Sequence, residues 1–213
     1  MGFSRIRGIF FGLLVLTPAG TYAHEHDPVE AGGKIAVRCA PCHELNGISR
    51  YPSIPHLAGQ KRDVLQTQIR AFLEKSSKLS RPDVTSRSEK VMEHAADGLS
   101  KKDIFDLAFF YSSLPCPLPV KQSPSTAPEV VTRCARCHGD NGRNTYKNVP
   151  DLAGQQQQYM ENQLRALRES GLVPNDPLVT RQRDHPIMGP QALFLTDSEI
   201  KSLSAYFASR SCR

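Results

Sequence analysis

The chain has 213 residues, 39% of them hydrophobic and none of them tryptophan. Two domains of about 100 residues each would have thin cores without a large apolar cofactor. The formal net charge of +6 is spread over both halves, and neither half has the dense basic stripe of a nucleic-acid-binding protein, so that class is excluded.

The first 23 residues are expected to form a secretory signal peptide. Arg5 and Arg7 give a basic start, a short apolar run follows at 9–16, and small residues precede Ala23. The apolar run is far shorter than the roughly 20 residues of a membrane-spanning helix, which argues against an uncleaved anchor. We therefore predict cleavage after Ala23 and a mature protein located in the periplasm.

Cleavage there would place His24-Glu25-His26 at the new N-terminus. An amine, two amides and an imidazole can bind Cu(II) or Ni(II) in a tetragonal, nitrogen-rich site. A polar tail without a metal is the alternative, and it is the one that the sequence favours.

Two Cys-x-x-Cys-His units, at residues 39–43 and 134–138, contain four of the six cysteines. Two thiols at this spacing can each add to a vinyl group of one haem, and the adjacent histidine can then ligate its iron. A thioredoxin-like site would lie in a βαβ pattern, which is absent. A structural zinc site would need four ligands from closely spaced pairs. We therefore predict two covalently bound c-type haems. The expected haem-binding residues are Cys39, Cys42 and His43 in the first half and Cys134, Cys137 and His138 in the second.

The sequence contains an internal duplication. A shift of 95 residues superposes the two Cys-x-x-Cys-His units and the two Pro-x-Leu-Ala-Gly-Gln runs at 55–60 and 150–155. Beyond Thr85 the shift becomes 96, which superposes Met92 on Met188. Each copy is therefore expected to fold as one unit of the same architecture.

Within each copy the apolar pattern predicts helices and no strands. A short helix is expected before each haem-attachment unit, and a longer one over 61–75 and 156–169. A last helix is expected after the capping boxes Ser100-x-x-Asp103 and Thr196-x-x-Glu199. The predicted fold class is all-α, with two tandem domains that each wrap around one haem.

Five prolines between residues 115 and 128 indicate an extended, stiff linker between the copies. The predicted organisation is a signal peptide at 1–23, a first domain at 24–114, a linker at 115–128 and a second domain at 129–213.

Met92 and Met188 are the expected sixth ligands of the two irons. They lie 49 and 50 residues after the histidine of their copy, in matching loops before the last helix. Core methionines are the alternative, and the neighbouring His94 and His185 do not match between the copies. A methionine opposite a histidine leaves no open iron position, which favours electron transfer over peroxide or oxygen chemistry.

Pro55 and Pro150 are candidates for an indirect role at the iron. A ligating histidine usually donates its second ring N–H to a carbonyl or carboxylate, and either proline could present its carbonyl there. A rigid turn before the next helix is a compatible explanation.

The paired Cys-x-x-Cys-His units, the paired Pro-x-Leu-Ala-Gly-Gln runs, and a methionine followed seven residues later by Leu-Ser or Leu-Thr resemble the cytochrome c4 family of dihaem class I cytochromes c. The resemblance covers about residues 30 to 210. It implies two haem domains whose propionates face each other, and a periplasmic electron carrier rather than an enzyme. Its partners would be a quinol-oxidising complex and a terminal oxidase or reductase, with peripheral membrane association.

Two alternatives to a free electron carrier are kept. One is the electron-transfer subunit of a periplasmic dehydrogenase, and the other is a small dihaem redox enzyme such as a peroxidase or a sulfur-compound dehydrogenase.

Cys116 and Cys212 occupy matching positions after the last helix of each copy and are not part of the family pattern. In an oxidising compartment spare thiols tend to pair. A bridge between these two cysteines is expected, with intermolecular pairing or free thiols as the alternatives.

Overall fold

A computed structural model of the protein describes residues 26–76, 86–87, 89–118, 127–172 and 183–212. The predicted signal peptide, His24 and Glu25, and most of the predicted linker lie outside these ranges. Among the described residues, no helix is long and apolar enough to cross a membrane.

The described part of the first domain contains five helices. In chain order they are α1 (Pro28–Ala36), α2 (Ala40–His43), α3 (Arg62–Ser76), α4 (Lys90–Ala96) and α5 (Lys101–Ser113). Asp27 is the N-cap of α1: its carboxylate accepts hydrogen bonds from the amides of Val29 and Glu30, and Pro28 occupies the first helical position.

The described part of the second domain contains four helices. They are α6 (Val131–His138), α7 (Gln157–Leu172), α8 (Met188–Ala192) and α9 (Asp197–Ala208). Both predicted capping boxes are formed at the starts of the last helices. Ser100 accepts from the amide of Asp103, Thr196 accepts from the amide of Glu199, and each acidic side chain returns a bond to the cap residue.

Two predictions of local structure were wrong. Met92 and Met188 lie on the short helices α4 and α8 rather than in loops. In addition, β1 (Ser86–Arg87) pairs antiparallel with β2 (Arg183–Asp184), where no strand was expected. Two-residue strands are too short to show the alternation of apolar residues from which strands are predicted.

The core of the first domain forms where α1 crosses α5. Ala36, Leu107 and Ala108 are buried there together with Tyr111. The crossing is close because Gly32 has no side chain. A Cβ atom at this position would lie 2.1 Å from the carbonyl oxygen of Asp106.

The core of the second domain packs both α8 and α9 against α7. Leu167, Ile200, Leu203 and Phe207 are almost fully buried there. The two cores share one feature, because in each the last helix packs against the long helix before the methionine: α5 against α3, and α9 against α7.

Candidate haem centres and the interface between them

The two predicted iron ligands His43 and His138 are held in the same way. Both side chains are buried, and their Nδ1 atoms lie 3.0 Å from the carbonyl oxygens of Pro55 and Pro150, respectively. Because Nδ1–H donates to the carbonyl, the tautomer keeps its lone pair on Nε2. Each ring can therefore offer Nε2 to a metal.

The surroundings favour the ligating form of each ring. Burial lowers the pKa of His43 and of His138, and the hydrogen bond to the proline carbonyl opposes this only in part. Burial also raises the pKa of the Cys39 and Cys134 thiols. All four cysteines of the two attachment units are free of disulfide bonds and available for thioether formation.

The repeated Asn-Gly and Pro-x-Leu-Ala-Gly segments position the two proline carbonyls. The carbonyl of Gly47 accepts from the amides of Leu57 and Ala58 at 2.8 and 3.1 Å. The carbonyl of Gly142 accepts from the amides of Leu152 and Ala153 at 2.7 and 3.1 Å. Both glycines have φ near +70°, at 69° and 73°, a conformation that favours glycine.

Different contacts hold the two helices that carry the methionines. The guanidinium of Arg38, the residue before Cys39, donates to the carbonyl of Asp97 at the end of α4, at 2.6 Å. At the start of α8, Nδ1 of His185 accepts from the amides of Ile187 and Met188 at 3.2 and 3.1 Å. His185 is therefore engaged in starting this helix, and His94 is exposed on the surface of α4. The assignment of Met92 and Met188 as iron ligands stays a prediction.

Two equivalent glutamines join the domains across an approximate two-fold axis. The side-chain amide of Gln60 donates to the carbonyl of Asp151 at 2.9 Å and accepts from its amide at 3.1 Å. Gln155 does the same to His56, donating at 2.9 Å and accepting at 2.8 Å. His56 and Asp151 are themselves equivalent in the duplication. Each glutamine side chain therefore donates one hydrogen bond to the backbone of a single residue in the opposite domain and accepts one from it, as a neighbouring β-strand would.

Further contacts between equivalent residues lie on the same axis. Cys116 and Cys212 form a disulfide with a Cα–Cα distance of 6.2 Å. The guanidinium of Arg183 donates to Gln163 at 2.8 Å and to its equivalent, Gln68, at 3.4 Å. In the two-stranded ladder, Arg87 pairs with Arg183, which is its own equivalent in the other copy.

Lys61 is not singled out by the sequence analysis. Gln60 and Gln155 are recognised there only as the last residues of the repeated run, because a repeat does not indicate that they face the other domain.

The residues present fit a haem in each domain. Each attachment unit has two unpaired thiols and a buried imidazole with a free Nε2. At the interface, Nδ1 of His56 is buried and has no hydrogen-bond partner among the described residues. No group of three or more His, Cys, Asp and Glu side chains in this part of the chain could hold a separate metal ion.

His26 is the first described residue, and its side chain is fastened to the last helix of the first domain. Its Nε2 lies 2.9 Å from the buried carboxylate of Asp106, which also accepts from Lys102 at 2.7 Å. Burial acts to raise the pKa of Asp106, but these two bonds outweigh it and lower the pKa. The metal-binding hypothesis for His24-Glu25-His26 stays a prediction, since His24 and Glu25 lie outside the described residues.

Comparison with known protein families identifies the class. A family model for cytochrome c matches the chain twice, at residues 29–115 and 127–211. The chain is 32% identical to a cytochrome c4 of Azotobacter vinelandii over 91% of this chain and 94% of that protein. It also resembles a solved structure of reduced cytochrome c4 from Pseudomonas stutzeri, with 28% identity and a TM-score of 0.69, covering 86% of this chain and 98% of that one.

A second group of similar proteins is linked to a dehydrogenase. One is a thiosulfate dehydrogenase electron acceptor of Thiomonas intermedia, which is 27% identical over 82% of this chain and 79% of that protein. The other is a solved structure of the thiosulfate dehydrogenase TsdBA from Marichromatium purpuratum, with 28% identity and a TM-score of 0.63. The match covers 86% of this chain and 40% of that chain.

Two matched domains, each with a complete attachment unit, define a dihaem c-type cytochrome. The chain belongs to the cytochrome c family and, within it, to the two-domain cytochromes c4. It therefore carries two covalently bound haems and serves in electron transfer as a carrier rather than as an enzyme.

Proposed function

We propose that the protein carries single electrons in the periplasm between a quinol-oxidising complex and a terminal oxidase or reductase. In this proposal, cleavage after Ala23 releases the mature chain, which begins at His24 and associates with the membrane only peripherally. The four thioether bonds hold the haems, and His43 and Met92 ligate one iron while His138 and Met188 ligate the other.

The observation that carries the proposal is the identical support of the two histidines. Each imidazole is buried and fixed by a proline carbonyl at 3.0 Å, so the ring has little freedom to move when the iron changes charge. With a methionine on the opposite side, both axial positions are filled, and little must rearrange between the ferric and ferrous states. This arrangement suits rapid transfer of one electron.

The test is an optical spectrum of the oxidised and reduced protein, with the haem content measured as the pyridine haemochrome. We expect two c-type haems per chain and the weak long-wavelength band of ferric haem bound to methionine. Replacing Met92 or Met188 by alanine should each remove about half of this band, whereas replacing Met160, a buried core residue, should remove none.

Binding of carbon monoxide or peroxide by the unmodified protein would contradict this assignment. An iron position would then be open, and a redox enzyme would be the better proposal.

The second candidate is an electron acceptor of a periplasmic dehydrogenase. Its support is the similarity to thiosulfate dehydrogenase electron acceptors over most of their length. The two candidates have the same haem chemistry and differ in the electron donor. Mixing the oxidised protein with a thiosulfate dehydrogenase and thiosulfate should reduce both haems if this candidate holds. A reduction rate no faster than with thiosulfate alone would exclude this donor.

A further inference from the structure

The two-fold relation between the domains is broken at one interface position. Lys61, which follows Gln60 in the first domain, is equivalent to Gln156 in the second. Gln156 makes a single hydrogen bond across the interface, from Nε2 to the carbonyl of Ser49 at 2.8 Å. Lys61 makes many more contacts with the opposite domain, so the interface does not support the two haem sites equally.

The ammonium group of Lys61 lies among four oxygen atoms of the second domain. It donates to the side chain of Asn144 at 2.7 Å and to the carbonyls of Tyr146 and Val149 at 3.0 and 2.8 Å. It also forms an ion pair with Asp151 at 3.0 Å. Both partners of this ion pair are largely buried, with 18% and 19% of their side chains exposed, so water screens their interaction only in part.

These four oxygen atoms belong to the loop that positions His138. The loop runs through residues 144–151 and contains Pro150, whose carbonyl accepts from Nδ1 of His138. The side-chain Nδ2 of Asn144 also donates to the carbonyl of Pro150, at 3.4 Å. Lys61 therefore fixes, from the first domain, the group that orients the histidine of the second.

The charged pair lies beside the loop that carries Pro150, the hydrogen-bond partner of His138. At the other site, the residues equivalent to Lys61 and Asp151 are Gln156 and His56. Because Gln156 is uncharged, these two positions form no ion pair beside the first site.

We propose that Lys61 is a positioning residue for the haem of the opposite domain, which it serves by fixing the 144–151 loop and by neutralising Asp151. The proposal rests on the proposed ligation of that haem by His138. With Lys61 present, the ion pair contributes little net charge near the second iron. Without it, the carboxylate of Asp151 would be left there without a cationic partner.

The direction of the effect follows from charge. An unpaired carboxylate near an iron stabilises the ferric state, which has one more positive charge than the ferrous state. Loss of Lys61 should therefore lower the reduction potential of the second haem. The first haem should keep its potential, because the ammonium group of Lys61 makes its polar contacts with the second domain.

The experiment uses the holoprotein and the substitution Lys61→Gln, which installs the residue that the other copy carries. The midpoint potentials of both haems are measured by spectroelectrochemistry, and Met92→Ala and Met188→Ala identify which potential belongs to which haem. We expect a downward shift for the second haem alone. The variant Lys61→Gln/Asp151→Asn, which removes both charges, should recover a large part of that shift. Lys101→Gln, at an exposed position of α5, is the control and should move neither potential.

An unchanged second haem in Lys61→Gln would overturn the proposal, as would equal shifts of both haems. A shift that Asp151→Asn does not reduce would overturn the role assigned to the charge of Lys61. The haem content separates this failure from that of the proposed function. Two haems per chain with His/Met spectra and no shift reject only the role of Lys61, whereas a chain without these spectra rejects the ligand assignment itself.

Discussion

The first and second domains differ most where each begins. In the first, α1 and α2 are separate helices, and Gly32 on α1 packs directly against the backbone of α5. In the second, the position equivalent to Gly32 is Ala127, which is exposed, and the single helix α6 leads from Val131 to His138 without a break. The approach to the histidine therefore differs between the copies, although the histidine itself is held identically.

The last helices of the two domains differ in how they contact the N-terminal segment. On α5, the buried carboxylate of Asp106 accepts a hydrogen bond from Lys102 of the same helix and contacts His26 of the N-terminal segment. The equivalent residue on α9 is Ser202, whose hydroxyl donates within its own helix to the carbonyl of Glu199 at 3.0 Å. After the duplication, the histidine–proline contacts and the hydrogen bonds of Gln60 and Gln155 have stayed equal. The contacts of Lys61 at the interface and those that attach the N-terminal segment have diverged.

The largest expected effect comes from removing the disulfide between Cys116 and Cys212, which joins equivalent positions after the last helices of the two domains. The disulfide closes a loop between residues 96 positions apart, and such a link restricts the unfolded chain. Replacing both Cys116 and Cys212 by serine should lower the free energy of unfolding by about 3 kcal/mol. Guanidinium denaturation followed by circular dichroism measures it.

The control for this prediction is the unmodified protein treated with a thiol reductant, which opens a disulfide but leaves thioether bonds intact. It should unfold at the same denaturant concentration as the double-serine variant. If the oxidised, reduced and mutated proteins all unfold together, the disulfide does not stabilise the fold.

A smaller effect is expected at the helix crossing that only the first domain has. In Gly32→Ala the new Cβ would lie 2.1 Å from the carbonyl oxygen of Asp106, so α1 must move away from α5. Overpacking of this kind should cost about 2 kcal/mol of stability. The matched control is Gly33→Ala, whose Cβ would lie 3.2 Å from the nearest atom, the Cε2 of Phe110. Thermal unfolding of the two variants compares them, and equal stability would show that the crossing is not as close as described.

Features that depend on local sequence could be predicted. The attachment units, the duplication and the two capping boxes are all short patterns with a direct physical meaning. The helices expected at 61–75 and 156–169 are observed as α3 and α7, with ends shifted by one to three residues. The distances from His43 and His138 to the proline carbonyls agree with the role suggested for Pro55 and Pro150.

Features that depend on how the two domains meet could not be predicted. Gln60 and Gln155 stand in a repeated run, but a repeat does not reveal that each amide binds the backbone of the other domain. Lys61 is a polar residue before a helix, and nothing in its neighbourhood of the sequence indicates four acceptors about 90 residues away. The helices α4 and α8 were missed because five to seven residues are too few to establish a periodicity.

The smallest expected effect concerns His56, which stands where the second domain has Asp151. Its folded pKa is lowered to about 4 from an ordinary value of 6.5, mainly by burial. As the pH falls below 6.5, the unfolded chain binds a proton at this residue and the folded protein does not. Stability should therefore decrease between about pH 6.5 and pH 4, by about 1 kcal/mol after allowance for solvent screening at this part-buried site.

Replacing His56 by glutamine should remove this part of the pH dependence, because an amide does not titrate. The measurement is the free energy of unfolding of both proteins at several pH values from 7.5 to 4. The difference between the two should change with pH below 6.5 and stay constant above 7. Parallel curves over the whole range would mean that His56 takes up its proton equally in the folded and unfolded states. Burial at the interface would then not disfavour the protonated form of His56, and His56 would correspond to Asp151 only in position.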